Sequence, residues 1–279
     1  MLHMRFCISK ELLAFAPLPF LLASCASLGP YSYQDHSKPD FPEGTLSDQI
    51  EILDLNSASP LNNVCHLKTT RKSIGTLWLG EKTSHGSAAL IENRYLITAA
   101  HNVFDYPLNK LTSMAVTCGK PQIINNDYSV FLDREKIKSH IYVPRYEFRI
   151  PNTKKQYEFD YAFVDLGENV SDHTMFKLGQ LNELDDPQSV NIGGFPGSPI
   201  AVGDQLYSGL GRITDVDNNI LSYSLRTAGG NSGGPIWVET NAKNIIIAIH
   251  VKNSGGRLVN EDLITDWKNW KRERQSSER

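Results

Sequence analysis

The chain is poor in the features that mark several large functional classes. Lys and Arg number 28 against 31 Asp and Glu, a formal net charge of −3 over 279 residues. That balance gives no electrostatic case for nucleic-acid binding. The basic end from Lys268 to Arg279 is most simply a solvated helix and tail. No apolar run is long enough to cross a bilayer as a helix. Cysteines number only four, at 7, 25, 65 and 118. Neither a close cysteine pair nor a His-x-x-x-His pattern is present, so no metal site and no cofactor is expected. Strands do not alternate with helices, which argues against a doubly wound α/β fold. The remaining composition, 40% hydrophobic and 21% charged, is that of an ordinary globular chain.

The first residues are set aside before any fold reasoning. Arg5 and Lys10 precede an apolar run from Leu12 to Leu22, interrupted by Pro17 and Pro19. The run ends in Leu22-Ala23-Ser24-Cys25, which resembles the lipobox of bacterial lipoproteins. The resemblance implies a signal over residues 1–24, a lipidated Cys25 and membrane attachment through that lipid. Ala26 in the next position would suit the outer membrane. The alternative is a plain secretory signal with Cys25 incidental, giving a periplasmic or secreted chain. Residues 25–64, rich in Ser, Pro, Asp and Tyr towards their start, are expected to form a tether. With Cys7 in the signal and Cys25 lipidated, Cys65 and Cys118 are left as a possible disulfide in an oxidising compartment.

From residue 65 short apolar segments recur, broken by Gly, Pro and Asn. Strands are expected over 74–79, 86–91, 95–100, 114–118, 129–132, 137–143 and 162–166. A second set is expected over 189–193, 205–214, 220–224, 235–238 and 245–251. Many short strands at close spacing point to an all-β sandwich or barrel. Only the end has helical spacing, with Leu263, Ile264, Trp267 and Trp270 three or four residues apart within 261–274.

The chemistry lies in three places. Thr98-Ala99-Ala100-His101 closes an apolar strand, and an imidazole can take and return a proton near neutrality. Asp160 opens the strand Ala162-Phe163-Val164, where a buried carboxylate could orient that imidazole. Asp165 and Asp105 compete for the same role. Ser232 sits in Thr227-Ala228-Gly229-Gly230-Asn231-Ser232-Gly233-Gly234-Pro235. There a base could activate its hydroxyl, and a glycine turn could aim backbone N–H groups at one point. Each element alone has a bland alternative: a surface histidine, a turn aspartate, a glycine-rich turn. Their joint occurrence in this order is specific.

The set resembles the chymotrypsin-like serine proteases, and more closely the bacterial glutamyl endopeptidase branch, over roughly Cys65 to Trp270. Gly193-Gly194-Phe195-Pro196-Gly197 resembles a Gly-Tyr-Pro-Gly turn of that branch. The resemblance implies two six-stranded antiparallel β-barrels, over about 65–170 and 185–255, with the active site between them. A C-terminal helix over about 259–274 and a tail at 275–279 follow. It implies Ser232 as nucleophile, His101 as general base and then acid, and Asp160 as orienting carboxylate. The N–H groups of Gly230 and Ser232 would form the oxyanion hole. Asn231 stands where activated pancreatic-type enzymes carry an aspartate, so the usual zymogen ion pair is not expected.

In the same resemblance the primary pocket is lined by the strand Ile249-His250-Val251, with His250 and Thr227 able to donate to an acidic substrate side chain. Lys252 adds positive charge nearby. Branch members often carry Trp-Gly-Gly where this chain has Val251-Lys252-Asn253, and Arg226 is placed either at the pocket floor or in solvent. The alternative for His250 is a packed strand histidine. The expected function is an exported serine endopeptidase acting on protein or peptide substrates, with a preference for Glu or Asp before the scissile bond. Rival functions are a non-catalytic binding module on the same fold and a protease that processes one envelope protein. An esterase is a further rival, although the order His, Asp, Ser argues against the α/β-hydrolase version. The chain is taken as a monomer.

Overall fold

The burial pattern along the strands explains why they read as continuous apolar runs. In a computed structural model, residues 50–51, 59–74, 79–104, 111–119, 129–144, 154–170, 176–184, 187–197, 205–240 and 243–278 are described. All fall within one compact unit. Two sheets carry most of them. The first contains β2 (Val64–Ile74), β3 (Leu79–Glu92), β4 (Tyr95–Thr98), β5 (Leu111–Cys118), β6 (Ser129–Asp133), β7 (Ile141–Tyr142) and β8 (Ala162–Asp165). Its order is β6-β5-β2-β3-β4-β8-β7. Side chains alternate across a strand, so each strand here serves two cores. Ala88 and Leu90 of β3, Leu96 of β4 and Val164 of β8 face the sheet's own core with Leu67, Met114, Val116 and Leu132. Ala89, Ile91, Tyr95, Ile97 and Phe163 face the other way, into a seam shared with the second sheet.

The second sheet holds β9 (Phe176–Leu178), β10 (Ser189–Gly194), β11 (Tyr207–Asp217), β12 (Ile220–Tyr223), β13 (Pro235–Thr240), β14 (Lys243–Lys252) and β15 (Gly255–Leu258). Its order β11-β10-β13-β14-β15-β12 closes on itself through β11–β12 pairing, making a six-stranded barrel. Val190, Ile192, Leu221, Tyr223, Ile236 and Ile247 fill it. β9 adds to β14 in parallel. Phe176, Phe195, Trp237, Ile246 and Ile249 complete the seam.

The architecture is thus all-β with two sheets and a terminal helix, as expected, but the two halves differ. The C-terminal sheet is a closed six-stranded barrel. The N-terminal sheet has seven strands, and its edges β6 and β7 do not pair with each other among the described residues. Residues 137–143, expected as a strand, form most of helix α2 (Arg134–His140) and then β7. The reason is local: the Asp133 carboxylate accepts from the N–H groups of Glu135 and Lys136 and starts a helix there. The tether expected over 25–64 gives way to folded chain before its end. β1 (Ile50–Glu51) pairs with β11, and a 3₁₀ turn at Pro60–Asn63 leads into β2. Cys65 and Cys118 are register partners on β2 and β5, and a disulfide joins them with an S–S distance of 2.05 Å.

A last helix clamps the seam. Asn260 caps it by accepting from the Leu263 N–H at 3.0 Å. Its Leu263, Trp267 and Trp270 lie on one buried face. Trp267 and Trp270 meet Tyr95 edge-on, with centroids 5.2 and 5.8 Å apart. Electrostatics fix the helix against the first sheet. Asp165, wholly buried, accepts from Arg94 at 2.8 and 2.6 Å, from Arg274 at 3.0 Å and from the Gly167 N–H at 2.9 Å. Burial pushes its carboxyl pKa up, but the bonds from Arg94, Gly167 and Arg274 outweigh that and hold it below the usual range. Removing the carboxylate would leave two arginines facing an empty buried site. Asp165→Ala is expected to destabilise the fold by about 3–5 kcal/mol in urea unfolding. A loss under 1 kcal/mol would show that the seam does not depend on this pin.

Candidate active site

After β4 the chain must turn without clashing, and Ala99 and Ala100, both fully buried, let it do so. β4 therefore ends at Thr98, short of the strand end expected at Ala100, and His101 sits in a short helix, α1 (Ala100–Val103). Asp160 follows α3 (Lys154–Tyr157) and precedes β8. Its carboxylate is 1% exposed and takes two bonds from one residue. Oδ1 accepts from the His101 backbone N–H at 2.9 Å, and Oδ2 pairs with the ring Nδ1 at 2.7 Å. An ionised carboxylate can only accept, so Nδ1 carries the proton and Nε2 keeps a lone pair. That is the tautomer a general base needs.

The segment bearing Asp160 is held from the other sheet. Arg257 of β15, 1% exposed, donates to the Glu158 carbonyl through Nε, and its guanidinium lies 5.2 Å from the centre of the Tyr161 ring. Asp165, the competing carboxylate, is committed to Arg94 and Arg274. Asp105 lies outside the described residues.

The glycine turn is built into the seam between the sheets. Gly230 and Gly233 have φ of +95° and +84°, values that side chains rarely adopt. A Cβ on Gly230 would lie 2.4 Å from the Phe195 carbonyl oxygen, and one on Gly233 would lie 2.1 Å from the Ser87 oxygen. The Ser232 carbonyl accepts from the Ser87 N–H and from Asn102 Nδ2, each at 2.7 Å. Asn102 is the residue after His101, so one side chain ties the turn to the helix bearing the imidazole. Ser87 Oγ donates to the Gly230 carbonyl at 2.7 Å and accepts from the Phe195 N–H at 2.8 Å. The Gly233 N–H donates to the His250 carbonyl at 2.7 Å.

Among the described residues, the N–H groups of Gly230 and Ser232 have no acceptor in the chain. They are free to meet a developing oxyanion. No hydrogen bond joins the His101 ring to the Ser232 hydroxyl among the described residues. Such bonds are often long in substrate-free sites and tighten when substrate is present.

Beside the turn, Thr227, Tyr223 and His250 form a buried group, 8%, 2% and 3% exposed. The Tyr223 hydroxyl meets both His250 Nδ1 and the Thr227 hydroxyl. Burial, and secondarily the charge of His101, push the His250 pKa down to about 3. Val251, buried in the core, falls at a register shift between β14 and β15. The Lys252 ammonium lies 4.7 Å from the centre of the Tyr157 ring. Arg226 is exposed to solvent, not at a pocket floor. Cys25 lies outside the described residues, among which no group of three or more His, Cys, Asp or Glu is placed to hold a metal. Ser87, Asn102 and Tyr223 were not singled out by sequence. Only the position of Asn102 beside His101 could have suggested it.

Two outcomes are expected. Ser87→Ala strands the Phe195 N–H and the Gly230 carbonyl, a loss of about 1–3 kcal/mol for each group left unpaired. Unchanged urea stability would mean that this hydroxyl holds nothing. The second concerns pH. The unfolded chain protonates His250 below about pH 6.5, whereas the folded chain does so only near pH 3. Between those values the unfolded state binds the extra proton. Stability therefore falls as pH falls, by up to about 1.4 kcal/mol per unit from this group. His250→Gln should flatten that limb in urea titrations at pH 6.5, 5.5 and 4.5, and an identical slope would refute the assignment.

Comparison with known proteins gives this geometry its family. Residues 86–249 match the model of the trypsin-like peptidase domain. Over 104 residues the chain is 34% identical to glutamyl endopeptidases of Staphylococcus aureus strains MW2 and MSSA476. The match covers 35% of this chain and 29% and 28% of theirs, so it spans under a third of those relatives. Among solved structures, a Glu endopeptidase in complex with MPD superposes with a TM-score of 0.57 at 18% identity, covering 80% of this chain and 95% of that one. The protease Anisep from Arthrobacter nicotinovorans gives 0.56 at 14%, covering 76% and 96%. A scabies mite inactivated protease paralogue gives 0.53 at 14%, covering 77% and 96%. These likenesses establish a shared fold, and the family match, which spans more than half of the chain, places it among the trypsin-like peptidase domains of chymotrypsin-like fold.

Proposed function

We propose that the chain is an exported serine endopeptidase in which Ser232 is the nucleophile, His101 the general base and Asp160 the orienting carboxylate. The observation that carries this is the pair of bonds from His101 to one buried carboxylate. It supports a ring held in one tautomer, with Nε2 free to take a proton. In the proposed reaction the Ser232 hydroxyl attacks the scissile carbonyl and passes its proton to His101 Nε2. The tetrahedral oxyanion accepts from the Gly230 and Ser232 N–H groups. Collapse expels the amine, which takes the proton back from the imidazolium. Water, deprotonated in turn by Nε2, then releases the acyl group from Ser232.

For the residue before the scissile bond we propose Glu or Asp. Thr227 and His250 offer a hydroxyl and an imidazole beside the nucleophile turn, both able to donate to a carboxylate. The similarity to proteins named glutamyl endopeptidase points the same way. Val251 supports His250 from the core side, and Lys252 is assigned no direct contact with substrate. Export would proceed through residues 1–24, with lipid attachment at Cys25 holding the enzyme at a bacterial envelope membrane.

A second function is favoured by one observation: the His101 ring and the Ser232 hydroxyl are not hydrogen-bonded. On that ground the chain would be a non-catalytic binding module on the same fold. A fluorophosphonate probe separates the two, since it labels only an activated serine. Labelling of Ser232 is expected, and absence of labelling on the folded protein favours the binding module.

Ser232→Ala should lower kcat by roughly 10⁶-fold, and Asp160→Asn by roughly 10⁴-fold, with the fold intact by circular dichroism. Parent-like turnover in either variant would exclude this triad. A panel of peptides differing only before the scissile bond should show Glu or Asp preferred. Equal kcat/KM after Glu, Phe and Lys would remove the acidic preference and leave the protease assignment standing.

A further inference from the structure

The buried hydroxyl of Tyr223 is used by neither the triad nor the oxyanion turn. It sits on β12 inside the closed barrel, 2% exposed, beside two groups of the primary pocket proposed above. One is His250 Nδ1 and the other is the Thr227 hydroxyl. A phenol has a single proton, and in this setting it has two possible acceptors. The strongest hydrogen bond pairs the more acidic donor with the more basic acceptor. A phenol is a stronger acid than a threonine hydroxyl or a neutral imidazole N–H, and an imidazole nitrogen is a stronger base than a hydroxyl oxygen. The proton of Tyr223 therefore goes to His250 Nδ1.

A neutral imidazole carries one proton, so the remaining nitrogen, Nε2, must hold it. The ring is neutral here because burial opposes its charge, and its one charged neighbour of consequence is the His101 ring. His250 Nε2 makes no hydrogen bond among the described residues, yet it is not one of the fully enclosed unpaired atoms. It is thus a donor with an opening in front of it. Thr227 keeps a rotatable hydroxyl that can turn its proton to a ligand.

We infer that Tyr223 is a positioning residue for the primary pocket, which fixes His250 in the Nε2–H tautomer so that the pocket presents a hydrogen-bond donor to an acidic side chain. This rests on the substrate preference proposed above. Without Tyr223 the proton can move to Nδ1. Nε2 would then turn a lone pair toward the substrate carboxylate, a repulsive contact where an attractive one had been.

The test uses the full chain with Ser232 intact and has two arms. In the first, ¹⁵N shifts of the His250 ring report which nitrogen is protonated at pH 7. A pyridine-like Nδ1 and a pyrrole-like Nε2 are expected in the parent, and a mixture in Tyr223→Phe. An Nδ1–H tautomer in the parent overturns the inference. In the second arm, kcat/KM is measured for peptides with Glu or Leu before the scissile bond. Tyr223→Phe should lower the Glu-to-Leu ratio about tenfold, mainly through KM. An equal fall for both peptides would indicate a merely structural role and overturns the inference. A parent enzyme without acidic preference, but with the Nε2–H tautomer that Tyr223→Phe abolishes, would sink the preference and uphold the positioning role.

Discussion

Asp160 sets the terms for everything around it. A carboxylate 1% exposed between two sheets is costly unless its oxygens are filled, and here both are filled by His101, from the backbone and from the ring. The burial and the chemistry are therefore one constraint. The ring cannot turn over without stranding a buried charge, so its tautomer is held as firmly as the fold. The same constraint explains Arg257, a buried arginine reaching from β15 in the second sheet to the Glu158 carbonyl. It carries the position of the Asp160 segment across the seam, so that the histidine of one sheet is placed relative to the serine of the other.

The seam itself is why strands of opposite function share one composition. β3, β4 and β8 alternate between a sheet core and the seam, so both faces are apolar. Polar groups that enter such a region must come with partners. Ser87 is the clearest case: fully buried, it bonds through its hydroxyl, its N–H and its carbonyl to the glycine turn, Phe195, Thr98 and Asn102. A buried polar group satisfied on every side specifies one arrangement of the elements it joins.

How much was legible follows from where each signal resides. Ser232 and His101 stand in strings of glycines or small residues whose backbone needs are visible locally, as the φ values of Gly230 and Gly233 show, and Asp160 stands at the mouth of an apolar strand. Ser87, Asn102 and Tyr223 are ordinary residues in ordinary strands or helices. Ser87 and Asn102 owe their roles to partners 143 and 130 residues away across the seam, and Tyr223 owes its role to His250, 27 residues on and on another strand of the same barrel. Residues 137–143 misled for a different reason. Ile137, Ile141 and Val143 resemble a strand in their spacing, but Asp133 satisfies the first helical N–H groups and local capping prevails. β9 was missed because three residues paired in parallel leave no period to detect. The open N-terminal sheet was invisible because closure depends on which edges meet, not on any strand's composition.

The separation between imidazole and hydroxyl gains its meaning from what is fixed around it. The Ser232 carbonyl is held by two donors, the Gly230 carbonyl by Ser87, and the Gly233 and Gly234 N–H groups by His250 and Asn231. With the main chain anchored on both sides, what remains free at Ser232 is rotation about its Cα–Cβ bond, among staggered positions separated by small energies. Moving that hydroxyl thus asks for a torsion and not for rebuilding a loop. A surface that only binds has no need of the vacant Gly230 and Ser232 N–H groups, which the left-handed turns at Gly230 and Gly233 hold beside a serine. Their persistence here, together with the filled Asp160, is the physical reason for preferring an acyl-transfer site to a binding surface.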